Sequence, residues 1–116
     1  MASYATYKDL PIEKRTADAT KIRTKYPDMI PVLLDHNLEL KKFKYLVPNY
    51  FSFAELMATV RMQMSIMPPD VGLFLFVNNE MPPMTSRLCD LSKSYYDDDG
   101  FLTVMIREES VFGSFL

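Results

Sequence analysis

The residue types that most often carry out nucleophilic catalysis are scarce in this chain of 116 residues. It contains one histidine, His36, and one cysteine, Cys89. A Ser-His-Asp or Cys-His catalytic set would have to use His36 as its base. The polar residues around His36 favour a solvated turn, and the leucines around Cys89 favour a small buried thiol over a nucleophile. We therefore expect no enzyme active site.

The same counts argue against a metal or cofactor site. One His and one Cys exclude a two-His site and a cysteine cluster. The three aspartates at 97–99 lack the alternating ligand spacing of a calcium loop and predict a solvated turn. The three glycines, Gly72, Gly100 and Gly113, form no phosphate-binding motif. We expect no cofactor and no metal, and a single cysteine excludes an internal disulfide framework.

Three features remain once catalysis and cofactor binding are set aside. Residues 41–44 (KKFK) form a basic stretch that enters a predicted strand, where lysines also discourage aggregation of an exposed edge. Pro31 and Pro48 frame the surrounding hairpin. Val111, Phe112 and Gly113 precede the last three residues, and a glycine so placed is more often flexible than functional.

Composition and charge describe one globular domain with a basic first half. Apolar residues make up 48% and charged residues 24% of the chain, which is close to the globular average. Residues 1–50 hold nine Lys/Arg against six Asp/Glu, and residues 51–116 hold four against nine. This asymmetry suits an acidic peptide or an anionic lipid surface and argues against nucleic acid. The absence of a signal peptide and of a membrane-spanning run predicts a soluble, cytosolic protein.

The first half predicts a helix followed by a hairpin. Pro11 can open a helix ended by Pro27, with a thin apolar stripe typical of a surface helix. Residues 1–10 add at most a short helical turn. Residues 29–34 and 43–48 predict two antiparallel strands, and Pro31, which lacks an N–H, argues for an edge position or a strand end.

The second half predicts one strongly signalled helix and two strands. Ser52 and Glu55 fit a capping box, and Phe51 and Leu56 occupy the positions of a hydrophobic staple, for a helix running to Met67. Residues 73–77 are apolar on both faces and predict a central strand. Residues 80–96 predict irregular structure with one helical turn near Leu88, and residues 101–107 predict the last strand.

This order of elements predicts the α+β class and a ubiquitin-like β-grasp, a four-stranded mixed sheet crossed by a helix, with an N-terminal helical extension. The expected divisions are an extension at 1–27, the β-grasp at 28–107 and a flexible tail at 108–116, all within a single domain.

Short motifs spread along the chain match the sequence pattern of a known family. The sequence resembles the GABARAP-type autophagy ubiquitin-like modifiers, in register from about residue 7 to residue 113. The motifs are PIEKR (11–15), KIR (21–23), KYPD (25–28), PV (31–32), KYLVP (44–48), FLFVNN (74–79), PP (82–83), ESV (109–111) and FG (112–113). Each is weak alone, but in this order they are highly specific.

The resemblance implies a function in autophagosome formation. Members are trimmed by a processing cysteine protease, after which activating and conjugating enzymes join the exposed glycine to phosphatidylethanolamine. Here the conjugated residue would be Gly113, preceded by Phe112, and residues 114–116 would be removed. The protein would be cytoplasmic when unconjugated and on the autophagosome membrane when lipidated. The alternative is a non-conjugated adaptor in membrane trafficking or cytoskeletal attachment.

The resemblance also implies two pockets for cargo-receptor peptides with an aromatic residue, two spacers and an aliphatic residue. The aromatic pocket would comprise Asp18, Ile22, Pro31, Leu33, Lys44, Leu46 and Phe101. The aliphatic pocket would comprise Tyr45, Val47, Pro48, Phe51, Leu56 and Val60. For each apolar member, ordinary core packing is the alternative. The chain differs from the family pattern in a shorter connection between 35 and 43, in Met29 and in Thr59.

Overall fold

The computed structural model describes residues 3–36, 42–63 and 72–108. Its helices and strands, in chain order, are α1 (Tyr4–Lys8), α2 (Ile12–Lys25), β1 (Met29–Asp35), β2 (Lys44–Pro48), α3 (Phe53–Met62), β3 (Leu73–Phe76), α4 (Leu88–Tyr95) and β4 (Leu102–Glu108). The short helical turn expected within residues 1–10 and the helix opened by Pro11 are both present. Residues 109–116, which include most of the predicted tail, lie outside the described residues.

The four strands form one mixed sheet in the order β2-β1-β4-β3. β1 runs antiparallel to β2 and parallel to β4, and β3 runs antiparallel to β4. Successive side chains of β1 point to opposite faces. Val32 and Leu34 therefore join the core under α3, while Leu33 joins a second cluster under α1 and α2. The predicted mixed sheet, with helices on both faces, is confirmed.

Pro31 predicted either an edge position or a strand end, and the edge position is wrong, because β1 lies between β2 and β4. The amide of Leu34 donates to the carbonyl of Phe43 beside β2, so the backbone nitrogen of Pro31, three residues earlier, faces β4. The pairing with β4 begins one residue later, at Val32. Pro31 therefore removes no hydrogen bond from the sheet, and an interior strand can accommodate it.

The central position predicted for residues 73–77 is also wrong. β3 is an edge strand that pairs with β4 alone among the described strands. Leu73 and Leu75 are buried, whereas Phe74 and Phe76 are only half-buried. The apolar residues on both faces of β3 therefore indicate that other parts of the chain partly cover each face. They do not indicate a neighbouring strand on both edges.

Helix α3 begins where the capping signal predicts. The Ser52 hydroxyl accepts from the Glu55 amide at 3.1 Å, and a Glu55 carboxylate oxygen accepts from the Ser52 amide at 3.0 Å. Leu56, the staple position within the helix, is fully buried, and Phe51 packs against the same core. The helix ends at Met62, and the rest of the predicted span, residues 64–67, lies outside the described residues.

Helix α4 is longer than the single turn predicted near Leu88. It spans eight residues, with Leu88 and Leu91 buried and Tyr95 packed against the main core. This three- and four-residue spacing is a helical signal in the sequence. The neighbouring aspartates and serines obscured it.

Candidate functional site

The strand predicted to bind peptides is an exposed edge. β2 pairs with β1 on one side and, within the described part of the chain, with no strand on the other. Along β2, Leu46 is 38% exposed while its neighbour Val47 is 3% exposed. This alternation is the strand's own period of two, so side chains on opposite faces of β2 belong to different clusters.

The structure brings the predicted aromatic-pocket residues together around the first half of β2. Leu33 lies opposite Lys44 and Pro31 lies opposite Leu46 in the β1–β2 pairing. Leu33 and Phe101 are buried in one cluster, and Ile22 packs against that cluster from α2. The seventh residue, Asp18, places its Oδ2 atom 3.5 Å from the Lys44 Nζ atom.

These seven residues divide into a floor and a rim. Leu33, Phe101 and Pro31 are buried and can only form the floor. Leu46 is exposed, and Asp18, Ile22 and Lys44 are partly exposed, so these four line the solvent side. A ligand would therefore meet a surface with aliphatic carbon, one carboxylate and one ammonium group.

Two aromatic residues that the sequence analysis did not include, Tyr7 and Phe43, belong to the same cluster. The Tyr7 ring stands edge-on to Phe101 at 5.9 Å and tilted to Phe43 at 5.6 Å. The Lys44 Nζ atom lies 4.4 Å from the Tyr7 ring centroid, within the range of a cation–π contact. Tyr7 comes from α1, and no local signal connects that short helix with β2.

A hydrogen bond sets the charge state of this cluster. The Tyr7 hydroxyl donates to Asp18 Oδ2 at 2.7 Å. This bond, assisted by the charge of Lys44 and opposed by partial burial, lowers the pKa of Asp18. Burial first, and then the bond to Asp18, raises the pKa of Tyr7. The carboxylate is therefore ionised and the phenol neutral across the physiological range.

The predicted aliphatic-pocket residues also lie together, on the other face of β2. Val47, Leu56 and Val60 are buried in the main core. Tyr45 and Phe51 are half-buried and pack against that core, and Pro48 is partly exposed at the end of β2. The three buried residues are ordinary core members, so an incoming side chain would contact mainly Tyr45, Pro48 and Phe51.

Tyr45 has an unusual hydroxyl. Its Oη atom is buried, and none of the residues in the described ranges donates to it or accepts from it. Burial raises the pKa of Tyr45, so the phenol stays neutral. The Lys42 Nζ atom lies 5.5 Å from the Tyr45 ring centroid and places a positive charge beside the start of β2.

The solvated turn predicted for the three aspartates is wrong for Asp99, which is 1% exposed. The Arg15 Nη1 atom lies 2.6 Å from Asp99 Oδ2, and the Phe101 amide donates to Asp99 Oδ1 at 3.0 Å. A buried carboxylate is tolerated when it is paired and hydrogen-bonded in this way. The partner Arg15 is 84 positions away in the chain, so local composition could not reveal it.

The other polar candidates belong to separate elements. Cys89, predicted to be buried, is half-buried in the first turn of α4. His36 is half-buried at the end of β1. Across the three described ranges, no group of three His, Cys, Asp or Glu side chains is arranged to hold a metal ion. Phe112 and Gly113, the predicted conjugation site, lie outside these ranges.

Comparison with known proteins identifies the family. The family model described as "Autophagy protein Atg8 ubiquitin like" matches residues 14–113, most of the chain. The chain belongs to the Atg8 family. Among curated proteins it is similar to Autophagy-related protein 8d of Arabidopsis thaliana, with 34% identity over 110 residues that cover 90% of this chain and 91% of the relative.

Solved Atg8 structures share the fold. The crystal structure of Trypanosoma brucei ATG8 superposes with a TM-score of 0.83 and 26% identity, covering 97% of this chain and 99% of that one. Plasmodium falciparum Atg8, solved in complex with a Plasmodium falciparum Atg3 peptide, gives a TM-score of 0.77 and 30% identity, covering 95% and 98%. The ubiquitin-like β-grasp and the GABARAP-type resemblance are thereby confirmed.

Membership of the Atg8 family makes this chain an autophagy-related ubiquitin-like protein. Members of the family are modifiers, and lipidation and membrane association follow from that role. Within the described residues, no helix is both long enough and apolar enough to cross a bilayer.

Proposed function

We propose that this Atg8-family protein is conjugated through Gly113 to phosphatidylethanolamine and recruits cargo receptors that carry aromatic-x-x-aliphatic motifs. Two partner classes follow from the family, a processing cysteine protease and the activating and conjugating enzymes. The Plasmodium falciparum relative was solved with an Atg3 peptide, which supports a conjugating enzyme as a partner of this chain as well.

One observation carries the peptide-binding part: an open strand edge with a different side-chain cluster on each face. An extended peptide can add to β2 through backbone hydrogen bonds, as in other cases of strand addition. Peptide side chains three positions apart point to opposite faces. A single added strand can therefore place an aromatic residue against the Lys44–Leu46 face and an aliphatic residue against the Tyr45–Val47 face.

The two clusters also give the added strand a direction. The proposed aromatic site lies beside Lys44, at the start of β2, and the aliphatic site extends beyond Pro48, at its end. A peptide whose aromatic residue precedes its aliphatic residue must then run parallel to β2. Leu46 and Ile22 would contact the aromatic ring.

The groove is tested by titrating an aromatic-x-x-aliphatic peptide into Leu46→Ala. Truncation of an interface anchor weakens binding by about 1–3 kcal/mol. Ile12→Ala is the matched control, because Ile12 is an apolar side chain of similar exposure (42%) on α2. We expect the control to bind like wild type. Equal affinities of Leu46→Ala and wild type, with both folded, would remove the groove from this edge.

For conjugation, we propose that the protease cleaves after Gly113 and releases Ser114, Phe115 and Leu116. The Gly113 carboxyl then forms an amide with the amine of phosphatidylethanolamine. A glycine has no side chain to obstruct a narrow active-site channel, which suits it to this position. The protein would be cytoplasmic before this step and on the autophagosome membrane after it.

Intact mass and location test the conjugation. We expect Gly113→Ala to fold normally, to keep its full-length mass and to stay cytosolic in starved cells. Ser114→Ala is the matched control and should still be cleaved, because it changes only the released segment. A chain ending at Gly113 should reach membranes without the protease. Membrane puncta formed by full-length Gly113→Ala would instead favour a non-conjugated adaptor in trafficking or cytoskeletal attachment.

A further inference from the structure

The turn that follows β2 is fastened to the start of α4. Pro48 ends β2, and the Phe51 amide donates back to the Pro48 carbonyl at 3.1 Å. Three successive carbonyls of the turn then accept hydrogen bonds from α4: Asn49 from the Cys89 amide (3.0 Å), Tyr50 from Arg87 Nη1 (2.8 Å) and Phe51 from the Leu88 amide (2.8 Å). The backbone of the turn is therefore fixed before any partner arrives.

Two large exposed side chains meet here, Tyr50 from the turn and Arg87 from the N-cap of α4. Tyr50 is 65% exposed, and its ring stands edge-on to Phe51 with centroids 5.6 Å apart. Arg87 is exposed and donates one guanidinium N–H to the Tyr50 carbonyl. A guanidinium has five N–H donors. Among the described residues, no carboxylate lies within ion-pair distance of Arg87, so the other donors face solvent.

The pair lies on the path of the proposed peptide. A strand parallel to β2 that places its aliphatic residue beside Pro48 continues toward residues 49–51. The Tyr50 ring lies edge-on to Phe51, a member of the proposed aliphatic pocket, so the peptide residues that follow the aliphatic one pass nearest to Tyr50. From this juxtaposition, and resting on the proposed groove, we infer that Tyr50 and Arg87 form a downstream subsite for an acidic residue of the cargo peptide.

Charge and shape define the residue that fits. Arginine can donate two parallel N–H bonds to a carboxylate. The flat Tyr50 ring can pack against the methylene groups of the same acidic side chain. Three acidic residues lie near this part of the chain: Asp90, one turn further along α4, Asp28, whose carbonyl accepts from the Asn49 amide, and Glu55, whose carboxylate accepts from the amide of Ser52, the residue that bridges Arg87. All three are exposed, so they moderate the positive potential without pairing with Arg87. This subsite is distinct from Lys42 and Lys44, which lie at the aromatic end.

A cycle of peptides and variants tests the subsite. The peptides share one aromatic-x-x-aliphatic core and carry Glu, Gln or Lys at the second and third positions after the aliphatic residue. At low salt we expect wild type to bind the Glu peptide most tightly, the Gln peptide less tightly and the Lys peptide least. Successive affinities should differ about two- to fivefold, as for an exposed ion pair. The Glu preference should disappear in Arg87→Gln and survive partly in Arg87→Lys. Tyr50→Ala should weaken the Glu and Gln peptides alike.

Lys93→Gln is the matched control, because Lys93 is an exposed base on the same helix. It should keep the wild-type preference. Thermal melts establish that Arg87→Gln is folded, and the comparison between peptides cancels any change in the turn itself. Equal binding of the Glu and Gln peptides to wild type overturns the subsite while leaving the groove intact. Failure of every peptide that carries the core overturns the groove and the subsite together.

Discussion

The Tyr7 hydroxyl donates a 2.7 Å hydrogen bond to the Asp18 carboxylate, and this bond joins α1 to α2 directly beneath the edge strand. Lys44 of β2 lies 3.5 Å from the same carboxylate oxygen. Three elements that are separate in the sequence therefore meet at one charged group. The first helix is part of the surface around the proposed aromatic pocket rather than an appendage to the domain.

Tyr7→Phe keeps the ring contacts with Phe43 and Phe101 and removes only the hydroxyl. A hydrogen bond to a charged group contributes about 1.5–3 kcal/mol, so we expect the free energy of unfolding to fall by that amount. Urea denaturation measures it. Tyr26→Phe is the control, because Tyr26 is an exposed tyrosine whose substitution should change stability by less than about 0.5 kcal/mol.

The same bond predicts a dependence on acid. Asp18 has a folded-state pKa below its unfolded value of about 3.9, so its contribution to stability is present above that pH and is lost as the pH falls through the folded-state pKa. Between pH 5 and pH 3, wild type should therefore lose more stability than Asp18→Asn does. Asp28→Asn, at an exposed acid, should follow wild type. Parallel curves for wild type and Asp18→Asn would refute the assignment.

Two adjacent acids in the turn before β4 should behave very differently. Asp99→Ala leaves Arg15 with its side chain 12% exposed and its ion pair lost, and breaking a buried pair costs about 3–5 kcal/mol. Asp98→Ala is the internal control, since Asp98 is exposed and should change stability by less than about 0.5 kcal/mol. Chemical denaturation of the two variants distinguishes them. Similar losses for both would mean that the Arg15 contact contributes little.

The preference of the groove for an acidic peptide residue before the aromatic one should depend mainly on Lys42. Asp18 already offsets the charge of Lys44, whereas Lys42 is exposed and contacts the Tyr45 ring. A peptide with Asp or Glu before its aromatic residue should bind about two- to fivefold more tightly than one with Lys there, and less so at high salt. Lys42→Gln should reduce this preference more than Lys25→Gln, at an exposed lysine on α2. Calorimetry at two salt concentrations measures both.

Local signals in the sequence determined most of the elements. The capping box at Ser52 and Glu55 needs only residues three apart, and it fixes the start of α3. In the predicted last strand, Leu102, Val104 and Ile106 stand at every second position, and all three are buried. The lysine-rich entry to β2 indicated an edge strand. Each of these features depends on neighbours within one turn or one strand, so the chain alone specifies it.

The order of strands was decided by the tertiary structure. Pro31 indicated an edge, yet β1 lies inside the sheet because the nitrogen of Pro31 points to a place where pairing has not begun. β3 has the composition of a central strand but lies at an edge. An apolar composition indicates that a strand is buried. Helices can bury a strand as well as neighbouring strands can, so composition alone does not give its place in the sheet.

The charged and aromatic parts of the candidate site depend on residues that are distant in the chain. Resemblance to the GABARAP-type modifiers placed Asp18, Lys44 and Phe101 together, and the structure adds Tyr7 to them. Burial of Asp99 depends on Arg15, which is 84 positions away. A carboxylate tolerates burial only where a cation and hydrogen-bond donors surround it. The Phe101 amide is local to this turn, whereas Arg15 comes from α2 and reaches Asp99 only in the folded chain.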